Sequence, residues 1–139
     1  MLDVNVLVAL TLTTHVHHAQ AHASLGRHRG TWVTCPLTEA ALIRLLLNPK
    51  VTGRSFAPAL VLQIVSGLSR DPRRRWLPDD SSLARPVIDT AVLVGHRQVT
   101  DLHLVNLAAT AGLRLATFDA GIPAGLFAPD RRHVLVLPQ

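Results

Sequence analysis

The first nine residues, Met1-Leu2-Asp3-Val4-Asn5-Val6-Leu7-Val8-Ala9, constrain the fold more than any other stretch. They are apolar nearly throughout and rich in valine, which predicts a buried strand. Into that strand the chain places Asp3 and, two residues on, Asn5. A carboxylate there is costly to bury unless it is paired, hydrogen-bonded or on a metal. The chain is therefore expected to bring other acids to Asp3 around a shared cation.

Further elements follow from local signals. Thr11 to Thr14 makes a polar break, with Thr13 or Thr14 as N-cap of a helix from His15 to about Arg29 that Gly30 closes. Thr31 to Cys35 is β-branched and aromatic, a second strand. Pro36 opens a helix that runs through Leu47 and stops at Asn48-Pro49. Lys50 to Arg54 reads as loop, and Ala57 to Ser69 as a helix with Leu60, Ile64, Val65 and Leu68 on its apolar side. Trp76-Leu77 is a short strand candidate, and Ser81 to Val94 reads as a helix. Thr100 caps a helix from Asp101 to Ala111 that Gly112 ends. Leu113 to Phe118 and His133 to Leu137 are strands, with a turn at Asp119. This alternation predicts an α/β fold: a mainly parallel sheet of four or five strands, covered by helices on both faces. Sites in such sheets form outside the carboxyl ends of the strands.

The chain has 139 residues, which suits one domain spanning 1–139. Its single cysteine, Cys35, has no internal disulfide partner and reads as a small buried residue, in keeping with a reducing compartment. No targeting segment or membrane span is apparent, so a cytoplasmic protein is expected. Fourteen Lys+Arg face nine Asp+Glu, for a net charge of +5. That balance attracts polyanions at long range. The competing explanation is codon usage that turns lysines into arginines, since Lys50 is the only lysine.

Four acids occupy matching topological places. Asp3 lies in the first strand and Glu39 in the first turn of the helix after strand two. Asp101 opens the helix before the fourth strand, and Asp119 follows that strand directly. Elements that begin after parallel strands start at one edge of the sheet, so the four can converge. Mg²⁺ and Mn²⁺ prefer such hard oxygen ligands, and a metal there would polarise a phosphate and activate a water. Each acid also has a structural alternative. Asp3 could bond a neighbouring amide, Glu39 and Asp101 could serve helix dipoles, and Asp119 could form a turn before Gly121. Asn5, Thr100 and Thr117 are candidates to hold the carboxylates or their waters, with a plain structural role equally open for Asn5.

Leu2-Asp3-Val4-Asn5-Val6-Leu7, Cys35-Pro36-Leu37-Thr38-Glu39, Thr100-Asp101-Leu102-His103-Leu104 and Leu115-Ala116-Thr117-Phe118-Asp119 together resemble the PIN-domain family, and more narrowly the VapC toxins of VapBC toxin–antitoxin modules. The resemblance spans nearly the whole chain, and its specificity lies in the set. It implies an α/β/α sandwich and a Mg²⁺- or Mn²⁺-dependent endoribonuclease that cleaves structured RNA such as tRNA or ribosomal RNA. It implies a homodimer, assembled into a heterotetramer or larger with a small VapB antitoxin. By position, Asp3, Glu39, Asp101 and Asp119 would be the acidic quartet. Asp3 and Asp101 would be the direct ligands, with Asp119 and Glu39 as further ones.

Other features have less specific readings. His15, His17, His18 and His22 lack the cysteine or acid that would complete a zinc site, so a solvated or partner-binding helix face is expected. Arg70, Arg73, Arg74 and Arg75 form the densest basic run, either a solvated loop or an RNA-backbone contact by Arg73, Arg74 and Arg75. Trp76 is expected in the core. The helix from Ala57 could pack internally or across a dimer. Two other functions compete: a non-catalytic basic module that binds nucleic acid or a partner, and a phosphotransferase with an aspartate nucleophile, which would need Lys50 near the phosphate.

Overall fold

The computed structural model describes residues 1–139. Only residues 1–3 are extended at the N-terminus. Leu2 pairs in parallel with Ala116. The Ala116 N–H donates to the Met1 carbonyl (2.8 Å) and the Asp3 N–H to the Ala116 carbonyl (2.9 Å). On the other side, the Leu2 N–H donates to the Val33 carbonyl (2.9 Å). At Asp3 the chain turns into helix α1 (Val4–Thr11), so the nine-residue strand predicted from sequence is corrected to three extended residues and a helix. The cause is burial. Val6, Leu7, Val8, Ala9 and Leu10 are buried in succession, so most sides of α1 are covered and its apolar run is nearly continuous. Periodicity cannot separate such a helix from a buried strand.

The short segment sits between two strand pairs. Strand β1 (Trp32–Thr34) pairs in parallel with β2 (Arg74–Trp76), and β3 (Leu115–Thr117) in parallel with β4 (Val134–Val136). The order is β2–β1–(1–3)–β3–β4, the four or five strands expected. Alternate residues serve opposite faces. Leu2, Trp32 and Ala116 join one apolar cluster with α1, α2 (His18–Arg27), α3 (Pro36–Leu46) and α5 (Pro58–Leu68). Met1, Leu115 and Val134 join the other with α6 (Val99–Thr110) and with Ile122 and Leu126. This is a three-layer α/β/α sandwich. Cys35 is buried in the second cluster, as expected.

Several elements differ from the sequence expectation. Ser81 to Val94 is not a helix. The Ser82 Oγ accepts from the Ala84 N–H, Asn106 from the Val87 N–H, Asp130 from the Asp89 N–H and Asp89 from the Ala91 N–H. These side-chain acceptors compete with helical bonding, and only one 3₁₀ turn, Thr90–Val92, survives. The first long helix is shorter than predicted. It is preceded by His17 and followed by His28, not by a threonine cap and Gly30, and Val16 lies exposed before it. Pro49–Thr52, expected as loop, forms a single helical turn, α4, capped by Asn48. On α5 the buried residues are Val61 and Val65, while Leu60 is exposed. After β3 a further short helix, α7 (Gly121–Ala124), forms.

The end of α6 is as predicted. Gly112 has φ 66°, its N–H donates to Ala109, and the Leu113 N–H donates to Ala108. That pattern aims the chain back into β3. No helix is long and apolar enough to cross a membrane.

Leu42 is fully buried where α3 meets α1. Leu42→Ala is expected to destabilise the fold by about 2–5 kcal/mol, read from urea unfolding midpoints at unchanged m-value.

Candidate active site

The carboxyl ends of the parallel strands lie side by side, and the site is built there. Asp3 ends the central segment with only 4% of its surface exposed. Its Oδ1 accepts from the Val4 N–H (2.6 Å), which starts α1. Its Oδ2 accepts from the Thr117 hydroxyl (2.7 Å) at the end of β3. The Thr117 Oγ1 in turn accepts from the Asn5 amide (2.8 Å) and from the Asp119 N–H (3.0 Å). The Asn5 Oδ1 accepts from the Phe118 N–H (3.2 Å). Asn5 and Thr117 therefore bind the carboxylate and the strand that follows it into one network.

Asp119 is exposed, and its Oδ1 accepts from the Gly121 N–H (2.7 Å). A Cβ at position 121 would lie 2.8 Å from that oxygen, so a larger residue there would push the Asp119 side chain aside. The turn-forming role is real and leaves the second oxygen of Asp119 free of protein donors. Asp101 sits half-buried in the first turn of α6. A small cleft of about 90 Å³ runs between Asp101 and Asp119 over Ile122 and Leu126. A larger cavity of about 220 Å³ lies between α2 and the sheet, lined by Ala21, Leu25, Trp32 and Leu137, and holds none of the acids.

Three of the four acids act on one another. Burial pushes the Asp3 carboxyl above its ordinary value, opposed by the Thr117 and Val4 hydrogen bonds and reinforced by the charge of Asp119. Burial likewise raises Asp101, with further increments from Asp3 and Asp119. No cation compensates them: the ion pairs of the chain are Arg73–Asp71, Arg74–Glu39 and His103–Asp79. This unneutralised oxygen set fits a hard divalent cation. The side chains do not form a ready cage of three ligands.

Glu39 stands apart from this group. Its Oε1 accepts from the Thr34 hydroxyl (2.9 Å) and from the Arg74 guanidinium, which also donates to Thr34 through Nε and Nη2. Thr34, buried at the end of β1, joins the two. Sequence reasoning missed both Thr34 and the Arg74–Glu39 pair. The available signal was that Thr34 shares its strand face with buried Trp32. Thr100 is exposed within the first turn of α6 and does not cap it; Gln98 precedes the helix instead.

The basic run divides. Arg73 forks onto Asp71 and donates to the carbonyls of Leu25 and His28, tying down the end of α2. Arg74 faces Glu39. Arg75 is exposed and bonds only local carbonyls. Trp76 is 48% exposed, contrary to the core position expected for it, because it lies on edge strand β2. The histidines also make contacts within the chain, with His22 exposed and His15, His17 and His18 half-buried. His18 Nδ1 lies 2.7 Å from the Ala9 carbonyl and His22 Nε2 3.1 Å from that of Leu10, while His17 stacks on Phe118. Lys50 is exposed on α4 and makes no ion pair with any of the acids.

Ribonuclease VapC38 of Mycobacterium tuberculosis is 44% identical over 128 residues, covering 88% of this chain and 86% of that protein. The chain belongs to the VapC ribonuclease family. Ribonucleases VapC39 and VapC29 of the same species are each 39% identical, over 124 and 122 residues and 88% of this chain, covering 89% and 86% of their own lengths. No family model matches the chain. VapC toxins are PIN domains, and the α/β/α sandwich expected from that resemblance is the one observed.

The acid cluster makes stability pH-dependent. The folded Asp101 carboxyl is raised, so the native state holds its proton more tightly than the unfolded chain. That contribution is full below the unfolded pKa and is lost as pH rises through the folded one. Thermal melts in chelator are therefore expected to show Asp101→Asn more stable than wild type at pH 7. The gap should close as pH falls below about 4.

Proposed function

We propose that the protein is a metal-dependent endoribonuclease acting as the toxin of a type II toxin–antitoxin system. The observation that carries this reading is the buried Asp3 carboxylate, coupled to Asp101 and Asp119 with no cation to balance it, in a VapC chain of net charge +5. Residues 1–139 act as a single PIN-like nuclease domain. The cofactor is Mg²⁺ or Mn²⁺, with Asp3 and Asp101 as its ligands and Asp119 beside them, while Glu39 is held by Arg74 and Thr34. Bound there, the metal supplies charge neutralisation, polarises a phosphate oxygen and lowers the pKa of an attacking water.

The chain's own residues hold this arrangement. Thr117 and the Val4 N–H orient the two oxygens of Asp3. Asn5 fixes Thr117 by donating to its hydroxyl. Asp119 keeps one oxygen free at the mouth of the cleft. The basic surface draws the RNA backbone in with salt-dependent affinity. The substrate is structured RNA such as tRNA or ribosomal RNA, and its cleavage arrests translation in the cytoplasm. A small VapB-type antitoxin neutralises the free toxin, which forms a homodimer and, with antitoxin, a heterotetramer or larger assembly. A pure binding module is disfavoured, because three unpaired carboxylates would repel phosphate in the absence of a metal.

RNA cleavage with Mg²⁺ or Mn²⁺ tests the reading. Asp3→Asn and Asp101→Asn are expected to fall to background, and Thr117→Val to lose about 10–100-fold. Cutting by the two aspartate variants at the wild-type rate would remove the assigned site. Induced expression in bacteria should arrest growth, and a co-expressed cognate antitoxin should relieve it. Harmless expression of a folded, RNA-cutting protein would exclude the toxin role.

A further inference from the structure

The edge strand β2 carries an unexplained pair next to Glu39. Trp76 is 48% exposed, a poor place for a large indole unless something covers it. The Arg74 guanidinium lies over its ring, 5.1 Å from the centroid, and holds Glu39 and Thr34 at the same time. Arg74 is well covered, with 14% of its side chain exposed, so its position is fixed by three partners. Trp76 pairs with Thr34 across the strands, and Val33 accepts from Leu2. The backbone of Trp76 therefore stands at the carboxyl edge of the sheet, two strand spacings or about 10 Å from the backbone of Asp3. Trp32, the other tryptophan, is buried.

We propose that Trp76 is a base-stacking platform for an unpaired nucleotide flanking the scissile phosphate. Arg74 positions it, stiffening the indole from one side and neutralising Glu39, which would otherwise repel the incoming backbone. An exposed indole beside a fixed guanidinium suits a nucleobase: every base has a π-face, and unpaired RNA bases are recognised by aromatic stacking. Phosphates of the same strand would meet the exposed Arg75. This inference rests on the ribonuclease reading and names the substrate feature that its site takes, an unpaired stretch and not a continuous duplex.

The test is a fluorescence titration with a single-stranded oligoribonucleotide, with Ca²⁺ in place of Mg²⁺ so that the acids are neutralised while the strand stays intact. Wild type is expected to show quenching that Trp76→Phe abolishes. Trp76→Ala should bind roughly 5- to 150-fold more weakly, the range for losing one stacked base, with Trp76→Phe in between. In the metal-dependent assay, Trp76→Ala should raise KM for the same oligonucleotide and leave kcat nearly unchanged. Unchanged affinity and unchanged quenching in the variants would overturn the platform even if wild type cuts RNA, leaving the ribonuclease reading intact. A variant that instead shifts from dimer to monomer at unaltered RNA affinity would make the patch a self-association surface and would also overturn it. Failure of wild type to bind or cut any RNA would remove both readings together.

Discussion

The Thr117 hydroxyl is the contact on which the rest of the site depends. It donates to Asp3 across 114 positions of sequence and accepts from Asn5 and from the Asp119 N–H. One oxygen thereby joins the first helix, the third strand and the turn that carries the next acid. Without it a nearly buried carboxylate would lose one of its two protein donors, in a place where an unmet charge is most expensive. The backbone of residues 1–3 makes this possible. By bonding Val33 on one side and Ala116 on the other, it completes a five-stranded sheet with a strand only three residues long.

The site carries an electrostatic debt that the fold alone does not settle. Helix α1 begins at Asp3 and α6 near Asp101, so both carboxylates gain from helix N-termini. Burial and mutual repulsion outweigh that gain, since both carboxyls remain raised. Glu39 has the opposite arrangement, with a guanidinium on it and a hydroxyl donating to it. The four acids thus divide into three that want a cation and one that already has its own. A pattern of sequence spacing could not reveal that division, because it depends on Arg74 reaching across from β2.

Much of the architecture was legible where signals were local. Pro36 at a helix start, Gly112 past a helix end and the β-branched run at Thr31 each act through a few neighbouring residues, and all three stand in the structure. Illegible elements were those decided by distant partners. Residues 81–94 carry enough apolar positions to suggest a helix, yet acceptors on Asn106 and Asp130 capture their N–H groups. Trp76 looks like core by composition, but an edge strand has nothing to cover it. Topology puts Asp3 and Asp119 at the carboxyl ends of their strands and Asp101 in the first turn of α6. The pairing of the acids was not legible, and neither was the buried Thr34 that links Glu39 to Arg74.

The histidines show how far support for one carboxylate extends. An eight-residue helix is not stable alone, and its last carbonyls need donors. His18 and His22, one turn apart on α2, bring ring nitrogens to the carbonyls of Ala9 and Leu10 at that end. His17 stacks on Phe118, whose N–H binds Asn5. The tautomer that places a proton on each contacting nitrogen is therefore the one the helix end selects. Residues that suggested metal binding in isolation instead finish α1 at one end, while Asp3 starts it at the other. The rigidity of that helix is what lets a carboxylate at its N-terminus hold position against two repelling neighbours.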